Sequence, residues 1–586
     1  MYYLGKFPYL LHLGLSKRIS TSVENQEIFA ETKIGIVSSY ESGSQTSYTR
    51  QPTRLHYTHH QPRVESWLRY EGLDSLILCS QPVVTMAYRQ RQTSHGSNYY
   101  HDATLRLNKS SRDSVTTEES GDSDSTKWSN GFEFSFACLG FSLNLHSLWL
   151  LPIAVIQQGG LTFVLMYLCM VGVCGVPVIL MEMGLGQYSG MAPAQLFYHL
   201  CPLVSGLGVS QSMYGLLTIM QTVVVMTWTS HGMFILFRDQ NIVENLLYEK
   251  VINKDDHDIN DLGSLNYDLV LVLGVVTITL FILVSAGLRS VGKVNMVTVP
   301  ACFMIIIALT IRSCFATGAP HSILTLLQPD WSNLTSPTVW LEAACQAVFS
   351  LHLGSGVIST YASYNRFYHN IVRDCCVMIA AHVVWVTCCL LLCFSLLGVA
   401  GSHLQSGTGL WLVSITLVES GLAELSNGWL WAGLFFILVV LVSLSTVLGY
   451  LHLLTTTIQS VNQCMVRCQP LVFLVVVCVV FCLELVLLTQ GGVHIYHLLY
   501  TFILQWPLLL FTLLAILATI ICHGVPFLVS DIADMSKIVL HHWIASHLAV
   551  GYYTILPIIT TVSTYTTQSC AANTLTSYEI FKVESV

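Results

Sequence analysis

Charged residues are scarce in this chain. Asp, Glu, Lys and Arg make up 10% of its 586 residues, whereas hydrophobic residues make up 53% and the mean hydropathy is +0.61. A soluble chain of this length would divide into several domains with charged surfaces, and this composition excludes that class. From residue 133 onward, apolar runs recur that reach the roughly 20 residues needed to cross a bilayer. The sequence therefore predicts an all-α polytopic membrane protein.

Sequence signs of catalysis and of zinc binding are also absent. No HExxH, no GxSxG and no pair of carboxylates occurs in the apolar runs, so we predict that the protein is not an enzyme. No CxxC pair or His/Cys spacing indicates zinc. The 19 cysteines lie mostly in apolar runs, as small buried hydrophobic residues do. We expect lipid and a small organic solute as partners and no nucleic acid, and the sequence leaves the oligomeric state open.

The first 127 residues differ from the rest of the chain. Arg, Ser, Thr, Tyr, His and Gln are frequent there, and the apolar patch at residues 1–15 is too weak to indicate a signal peptide. More than half of the 25 Lys and Arg residues precede residue 128, which favours the cytoplasmic side. We predict a disordered cytoplasmic segment over 1–127, a membrane domain over 128–564 and a polar tail over 565–586.

Eleven spans are predicted in the membrane domain, and the loops between them suggest an orientation. Basic loop residues collect on one side, which is predicted to be cytoplasmic. The acidic loop 244–268, the glycosylation sequon at Asn333 and the connection 399–427, a possible lid, fall on the other side. An odd number of spans would leave the C-terminus outside. The predicted spans lie near 133–155, 161–182, 210–236, 268–287, 294–313, 340–363, 372–398, 428–457, 470–489, 499–523 and 541–564.

Two of these spans are interrupted at bilayer depth. The first, within Phe136–Pro152, contains the polar stretch Asn144–Ser147, and the second, within Phe349–Val357, contains Gly354–Gly356. Polar groups at that depth are costly unless they face protein, water or a bound solute. Interrupted spans at corresponding positions of two halves indicate an inverted five-helix repeat with discontinuous helices 1 and 6 and a transporter site at the midplane.

Short motifs spread over the membrane domain resemble those of the neurotransmitter:sodium symporter family. The resemblance implies the family fold of twelve spans and sodium-coupled uptake of a small solute, in a divergent member with one span fewer. The matching positions are Trp149, Pro152, Gln158-Gly-Gly160, Pro177, Met181-Glu182, Gly184-Leu-Gly-Gln187, Gly292-Lys-Val294, Pro329-Asp-Trp331, Trp340, Ala343-Ala344, Gln346, Phe349-Ser350, Ala362-Ser-Tyr-Asn365 and Thr489-Gln-Gly-Gly492.

The same resemblance implies ion sites. A second sodium site would use main-chain oxygens of Gly140, Leu143 and Val442 with the hydroxyls of Ser445 and Thr446. Alternatively, these two hydroxyls only bond back to their own helix.

The first sodium site is altered relative to the family. Ser147 and His382 replace family asparagines, while Ser142 and Ser350 remain. The chloride site keeps Tyr167, Gln346 and Ser350, but His382 and Val386 replace an asparagine and a serine. We therefore expect one bound sodium ion, and we do not expect transport to depend on chloride.

The substrate site also departs from the family. Asn144 stands where monoamine carriers have aspartate, and Thr222 stands where a tyrosine usually binds the substrate carboxylate. In the family, the outer gate is normally an arginine that faces an acidic residue. In this chain the corresponding residues are Leu150 and, around the tenth helix, Tyr500 and Thr501. The substrate-binding positions implied by the resemblance are Phe141, Asn144, His146, Thr222, Phe349, Leu351, His352 and Gly354.

Three histidines outside the family pattern fall at the predicted centre: His146, His352 and His382. Either they are neutral rings bonded to backbone groups freed at the helix breaks, or one of them, when protonated, replaces the first sodium. Two functions are compatible with these residues. The first is sodium-coupled symport of an amino acid, neurotransmitter or osmolyte across the plasma membrane, and the second is a non-transporting or regulatory relative that retains the fold.

Overall fold

The computed structural model describes residues 127–240, 263–400, 418–461, 468–500 and 506–537, with a few residues between these ranges. The predicted disordered segment before residue 127, the span 541–564 and the polar tail lie outside them and stay predictions. The described residues form helices and no β-strand.

The helices follow the predicted spans closely. A bent pair begins the domain: α1 (Gly131–Ser142) and, after a break, a π-helical turn (His146–Leu150) with α2 (Leu151–Gln157). A second broken pair consists of α10 (Pro337–Ser350) and α11 (Val357–Ser363). The remaining helices are α3 (Leu161–Met170), α4 (Val176–Ser189), α5 (Pro193–Leu200), α6 (Leu207–Arg238), α7 (Tyr267–Ser285), α8 (Leu288–Cys314), α9 (Ala319–Leu327), α12 (Ile371–Ala400), α13 (Gly428–Val461), α14 (Gln469–Leu487), α15 (Gly492–Leu498), α16 (Trp506–Ala518) and α17 (Val525–Ser536).

Length and composition indicate which helices can cross a membrane. Within the described ranges, eight continuous helices are long and apolar enough to do so, and nine spans result if α1 and α2, bent by 46°, count as one. The pair α10 and α11, separated by the break 351–356, lies over the predicted span 340–363. The prediction of a helical, polytopic membrane protein is confirmed.

Proline explains one irregularity in the second span. Pro177 has no N–H group, and its ring collides with the carbonyl four residues earlier in a regular helix. The turn before it, Val171–Gly175, is accordingly a π-helix that joins α3 to α4.

The first break is stabilised by side chains of the interrupted stretch itself. Leu143 is extended (φ −84°, ψ 98°), which ends α1. Asn144 Oδ1 then accepts the Ser147 N–H at 2.9 Å, the bond that an N-cap side chain makes to the third helical residue. Ser147 Oγ donates to the Asn144 carbonyl at 2.8 Å. The polar residues at bilayer depth therefore serve to start the second half of the helix.

The second break is stabilised by neighbouring helices. The Gly354 N–H donates to Glu182 Oε1 on α4 at 2.6 Å, and its carbonyl accepts from Gln211 Nε2 on α6 at 2.7 Å. Thr512 on α16 donates to the Leu353 carbonyl at 3.0 Å. Gly354 has φ +75°, and a Cβ there would lie 2.3 Å from Thr512 Oγ1, so only glycine fits. Backbone groups freed within the membrane are thus paired, as a span requires.

The sequon asparagine lies against the loop that follows α2. Asn333 Nδ2 donates to the Gln158 carbonyl at 3.2 Å. Because a glycan would attach to the same nitrogen, glycosylation would have to break this bond. Use of the sequon stays a prediction.

Candidate functional site

The two breaks meet in the middle of the molecule. Asn144 Nδ2 donates to the Ser350 carbonyl at 2.6 Å and lies 3.3 Å from His352 Nδ1. An amide nitrogen is only a donor, so His352 Nδ1 accepts and this ring is neutral in the observed arrangement. His146 Nε2, in turn, lies 2.7 Å from Gln346 Oε1, which can only accept, so His146 donates there.

A cavity of about 60 Å³ lies between the breaks. On this measure one water needs about 10–15 Å³, so the space suits a small solute. Asn144, His146, Thr222, Phe349 and His352 from the predicted substrate set line it, and the other predicted members, Phe141, Leu351 and Gly354, are not among its lining residues. The remaining lining residues are Leu145, Trp149, Leu150, Tyr214, Thr218, Gln221, Thr446, Tyr500 and Leu508.

On one wall of this cavity, sequence reasoning identified only Thr222 and missed its neighbours. Tyr214, Thr218, Gln221 and Thr222 lie on α6 at positions i, i+4, i+7 and i+8, which share one helix face. Polar residues repeating at that spacing in an otherwise apolar span were the available signal. Among the described lining residues there is no Asp, Glu, Lys or Arg, so the cavity offers hydrogen bonds and aromatic surface but no formal charge.

The second predicted sodium site lies where α1, α8 and α13 pack together. A Cβ on Gly140 would lie 3.3 Å from Ser445 Cβ, so the end of α1 approaches α13 at the predicted hydroxyl pair. Ser445 and Thr446 donate to the carbonyls of Leu441 and Val442, each at 3.3 Å. These bonds back to the helix are long, and each hydroxyl keeps oxygen lone pairs that can face a cation.

Asn295 on α8 reaches the same place, which sequence reasoning did not identify. Its Oδ1 is the atom nearest to Gly140, 2.0 Å from where a Cβ would lie. Thr298, three residues later, has its hydroxyl 3.3 Å from Ser445 Oγ. A single Asn in an apolar span gives no indication by itself of what it faces.

His382 occupies the region assigned to the first sodium and to chloride. Its Nδ1 lies 3.2 Å from the Ser142 carbonyl and its Nε2 lies 2.9 Å from the Tyr167 hydroxyl. The carbonyl only accepts, so Nδ1 carries a hydrogen and, in a neutral ring, Nε2 accepts the Tyr167 proton. Ser350 Oγ lies 2.8 Å from Tyr167. The Tyr167 hydroxyl, a predicted chloride ligand, is therefore paired with the imidazole and with Ser350.

Other residues predicted for these ion sites have protein partners. Ser147 Oγ accepts from Trp385 Nε1 at 2.9 Å, and Ser142 Oγ donates to the Leu139 carbonyl at 2.8 Å. Gln346 pairs with His146 and donates to Glu342 at 2.9 Å. The residues present fit one cation site built from oxygen atoms, next to Gly140.

Comparison with known proteins decides the family. The model of the Sodium:neurotransmitter symporter family matches residues 125–242 and 238–581. The chain belongs to this family. The family predicted from the sequence is therefore confirmed, and membership makes the chain a multi-pass membrane protein of the sodium-coupled symporter class.

Individual relatives are distant from this symporter. The Sodium- and chloride-dependent GABA transporter 2 of Rattus norvegicus is 27% identical over 424 residues, 65% of this chain and 70% of the relative. The Sodium-dependent acetylcholine transporter of Caenorhabditis elegans is 28% identical over 480 residues, 71% of this chain and 66% of the relative. The crystal structure of MhsT in complex with L-phenylalanine superposes with a TM-score of 0.61 at 18% identity, covering 74% of this chain and 98% of that one. That likeness supports the fold.

Proposed function

We propose that this symporter carries a small solute without net charge, such as a zwitterionic amino acid or an osmolyte, across the plasma membrane together with one sodium ion. The observation that carries the proposal is the cavity between the two helix breaks. Its described lining is rich in hydroxyl, amide and imidazole groups and has no charged side chain. A cationic amine would find no counter-charge there. Among the relatives, the GABA transporter is named for a zwitterion, and the acetylcholine transporter for a cation.

The cation site of this proposal consists of the end of α1 and the middle of α13. The last carbonyls of a helix have no partner farther along it, so those of Gly140 and Leu143 are available at the break. Unwound carbonyls and neighbouring hydroxyls are the groups that hold sodium in such transporters. Bound there, the ion would link α1 to Ser445 and Thr446. Since α1 continues into the solute cavity, this link supports coupling of the ion to the solute.

The arrangement of His382 supports the proposal of a single sodium ion and no chloride. The His382 ring pairs with the Ser142 carbonyl and with the Tyr167 hydroxyl. One residue predicted to bind the first sodium and one predicted to bind chloride therefore have the imidazole as a partner. The other hypothesis from the sequence, that a protonated histidine replaces the first sodium, requires that ring to lose its acceptor role toward Tyr167. The neutral ring is favoured because His382 is fully buried, where a charged ring would be costly.

Uptake and ion binding test this function separately. In cells, uptake of labelled neutral and zwitterionic solutes should require an inward sodium gradient. In the purified protein, sodium should raise the unfolding temperature, because a ligand that binds only the folded state stabilises it. Ser445→Ala with Thr446→Val should abolish that increase. Thr455→Val is a matched control on the same helix, since its hydroxyl bonds to the Leu451 carbonyl at 2.9 Å. Sodium-independent uptake would contradict the proposal.

A non-transporting relative is the second candidate. Asn144 pairs with the Ser350 carbonyl and with His352 across the breaks, and the described gate positions Leu150 and Tyr500 carry no charge. In that case sodium would stabilise the purified protein, but cells would take up none of the labelled neutral and zwitterionic solutes.

A further inference from the structure

The amide oxygen of Asn295 has no hydrogen-bond partner among the described residues, although its side chain is 0% exposed. Buried polar atoms in folded proteins are nearly always paired, because an unpaired one loses its hydration without compensation. The orphaned oxygen therefore needs a partner that the described residues do not supply.

The hydrogen bond of the Asn295 amide nitrogen determines the direction in which the amide oxygen points. Asn295 Nδ2 donates to the Val291 carbonyl, one turn earlier on α8, at 2.9 Å. A carbonyl only accepts, so the amide cannot be turned around without facing oxygen to oxygen. Oδ1 consequently points away from its own helix and toward α1.

The oxygen points at the place where the cation site is proposed. It lies against Gly140, and a side chain at position 140 would collide with it, since a Cβ would come within 2.0 Å. The same point lies 3.3 Å from Ser445 Cβ. On α8 one turn later, Thr298 contacts Ser445 at 3.3 Å between hydroxyl oxygens. Two polar residues of α8 thus face the junction of α1 and α13.

We propose that Asn295 Oδ1 is a further ligand of the cation bound between α1 and α13, so that the site in this chain is built from three helices. The inference rests on the proposed sodium coupling and deepens it. A neutral amide oxygen is a suitable ligand for an alkali cation, because it supplies a strong dipole at no cost in burying a second charge. It would also make the packing of α8 against α1 sensitive to the ion.

Sodium titration of the purified full-length protein tests the inference. The readout is the unfolding temperature as sodium chloride replaces choline chloride at constant ionic strength, which yields an apparent Kd. Asn295→Leu removes the oxygen at similar volume, and we expect its Kd to rise by about tenfold or more. Asn295→Asp keeps an oxygen and adds a negative charge, so its Kd should fall. Thr310→Val is the control on the same helix, because its hydroxyl donates to the carbonyls of Ile306 and Cys388, away from the proposed site.

The outcomes separate this inference from the function on which it rests. If Ser445→Ala with Thr446→Val abolishes the sodium effect but Asn295→Leu keeps the wild-type Kd, the ligand role of Asn295 is wrong and the sodium site stands. If the wild-type protein is not stabilised by sodium at all, both are wrong. Should Asn295→Leu fail to fold, the aspartate variant decides: an unchanged Kd overturns the inference, and a lower one supports it.

Discussion

Asn144 Nδ2 donates a hydrogen bond to the carbonyl oxygen of Ser350 at a distance of 2.6 Å. The two residues lie 206 positions apart and belong to the breaks of the two discontinuous helices. Ser350 is the last residue of α10, so its carbonyl has no partner within that helix. The Asn144 side chain therefore acts at both breaks. Its oxygen accepts the Ser147 N–H and so starts the helix after the first break. Its nitrogen binds the Ser350 carbonyl, which the second break leaves free.

Asn144→Ala should therefore destabilise the protein by about 1–3 kcal/mol, because it leaves a buried carbonyl and a helix N-terminus without partners. The measurement is the unfolding temperature of the purified protein in detergent. Thr222→Val is the matched control. Thr222 lines the same cavity, but within the described part of the chain its hydroxyl bonds only to the Thr218 carbonyl of its own helix, at 2.7 Å. Equal unfolding temperatures for the two variants would contradict the bridging role of Asn144.

Transport by the wild-type protein should be the same in sodium chloride and in sodium gluconate. The reason is that the Tyr167 hydroxyl, a predicted chloride ligand, is paired with His382. His382→Asn combined with Val386→Ser restores the residues that the family resemblance implies, and this variant should gain uptake, or unfolding temperature, when chloride is present. A wild-type protein that needs chloride would show that the imidazole does not replace the anion.

The breaks could be predicted from the sequence because they follow from local chemistry. The polar stretch Asn144–Ser147 and the glycines around Ser355 cannot continue an apolar helix without cost, whatever packs around them. The partners that make the breaks stable could not be predicted. Glu182 and Gln211 bind the backbone of Gly354 from other helices, and only the folded arrangement brings them there.

The ion sites, too, could be predicted only in part from the sequence. Gly140 and Ser445 were identified by resemblance to a family motif, and the structure brings them together. Asn295 departs from no short motif, so its proximity to Gly140 becomes visible only once α1, α8 and α13 are packed. Likewise, His382 was noted as a replacement, but its bonds to Ser142 and Tyr167 depend on the path of α12.

His352 adopts a backbone conformation that favours glycine. Its φ is +50°, in the left-handed region, where a non-glycine residue costs about 1–3 kcal/mol. His352→Gly and His352→Ala both lose the ring contacts with Phe141 and Tyr450, at 5.1 and 6.1 Å between centroids. Only glycine relieves the strain, so it should be the more stable of the two variants by about 1 kcal/mol. Parallel thermal unfolding of both variants measures the difference, and an alanine variant of equal or greater stability would exclude strain at this position.

Glu419, in the connection between α12 and α13, gives the folded state a pH dependence. One carboxyl oxygen accepts the Leu247 N–H at 3.2 Å, and the other has no partner among the described residues. Burial raises the pKa of Glu419 to about 8, although the bond from Leu247 lowers it in part. An unfolded chain has this pKa near its ordinary value of about 4.3, so between about pH 4.3 and 8 the folded state holds a proton that the unfolded state has lost.

The contribution of Glu419 to stability is therefore fully present below about pH 4.3 and is lost as the pH rises toward 8. Glu419→Gln keeps an acceptor for Leu247 and cannot ionise, so the variant should gain stability over the wild type progressively between pH 5 and 8. Unfolding temperatures of both proteins across that range, in one buffer system of constant ionic strength, measure the gain. A difference between the two proteins that does not change with pH would mean that the Glu419 carboxyl titrates normally in the folded state.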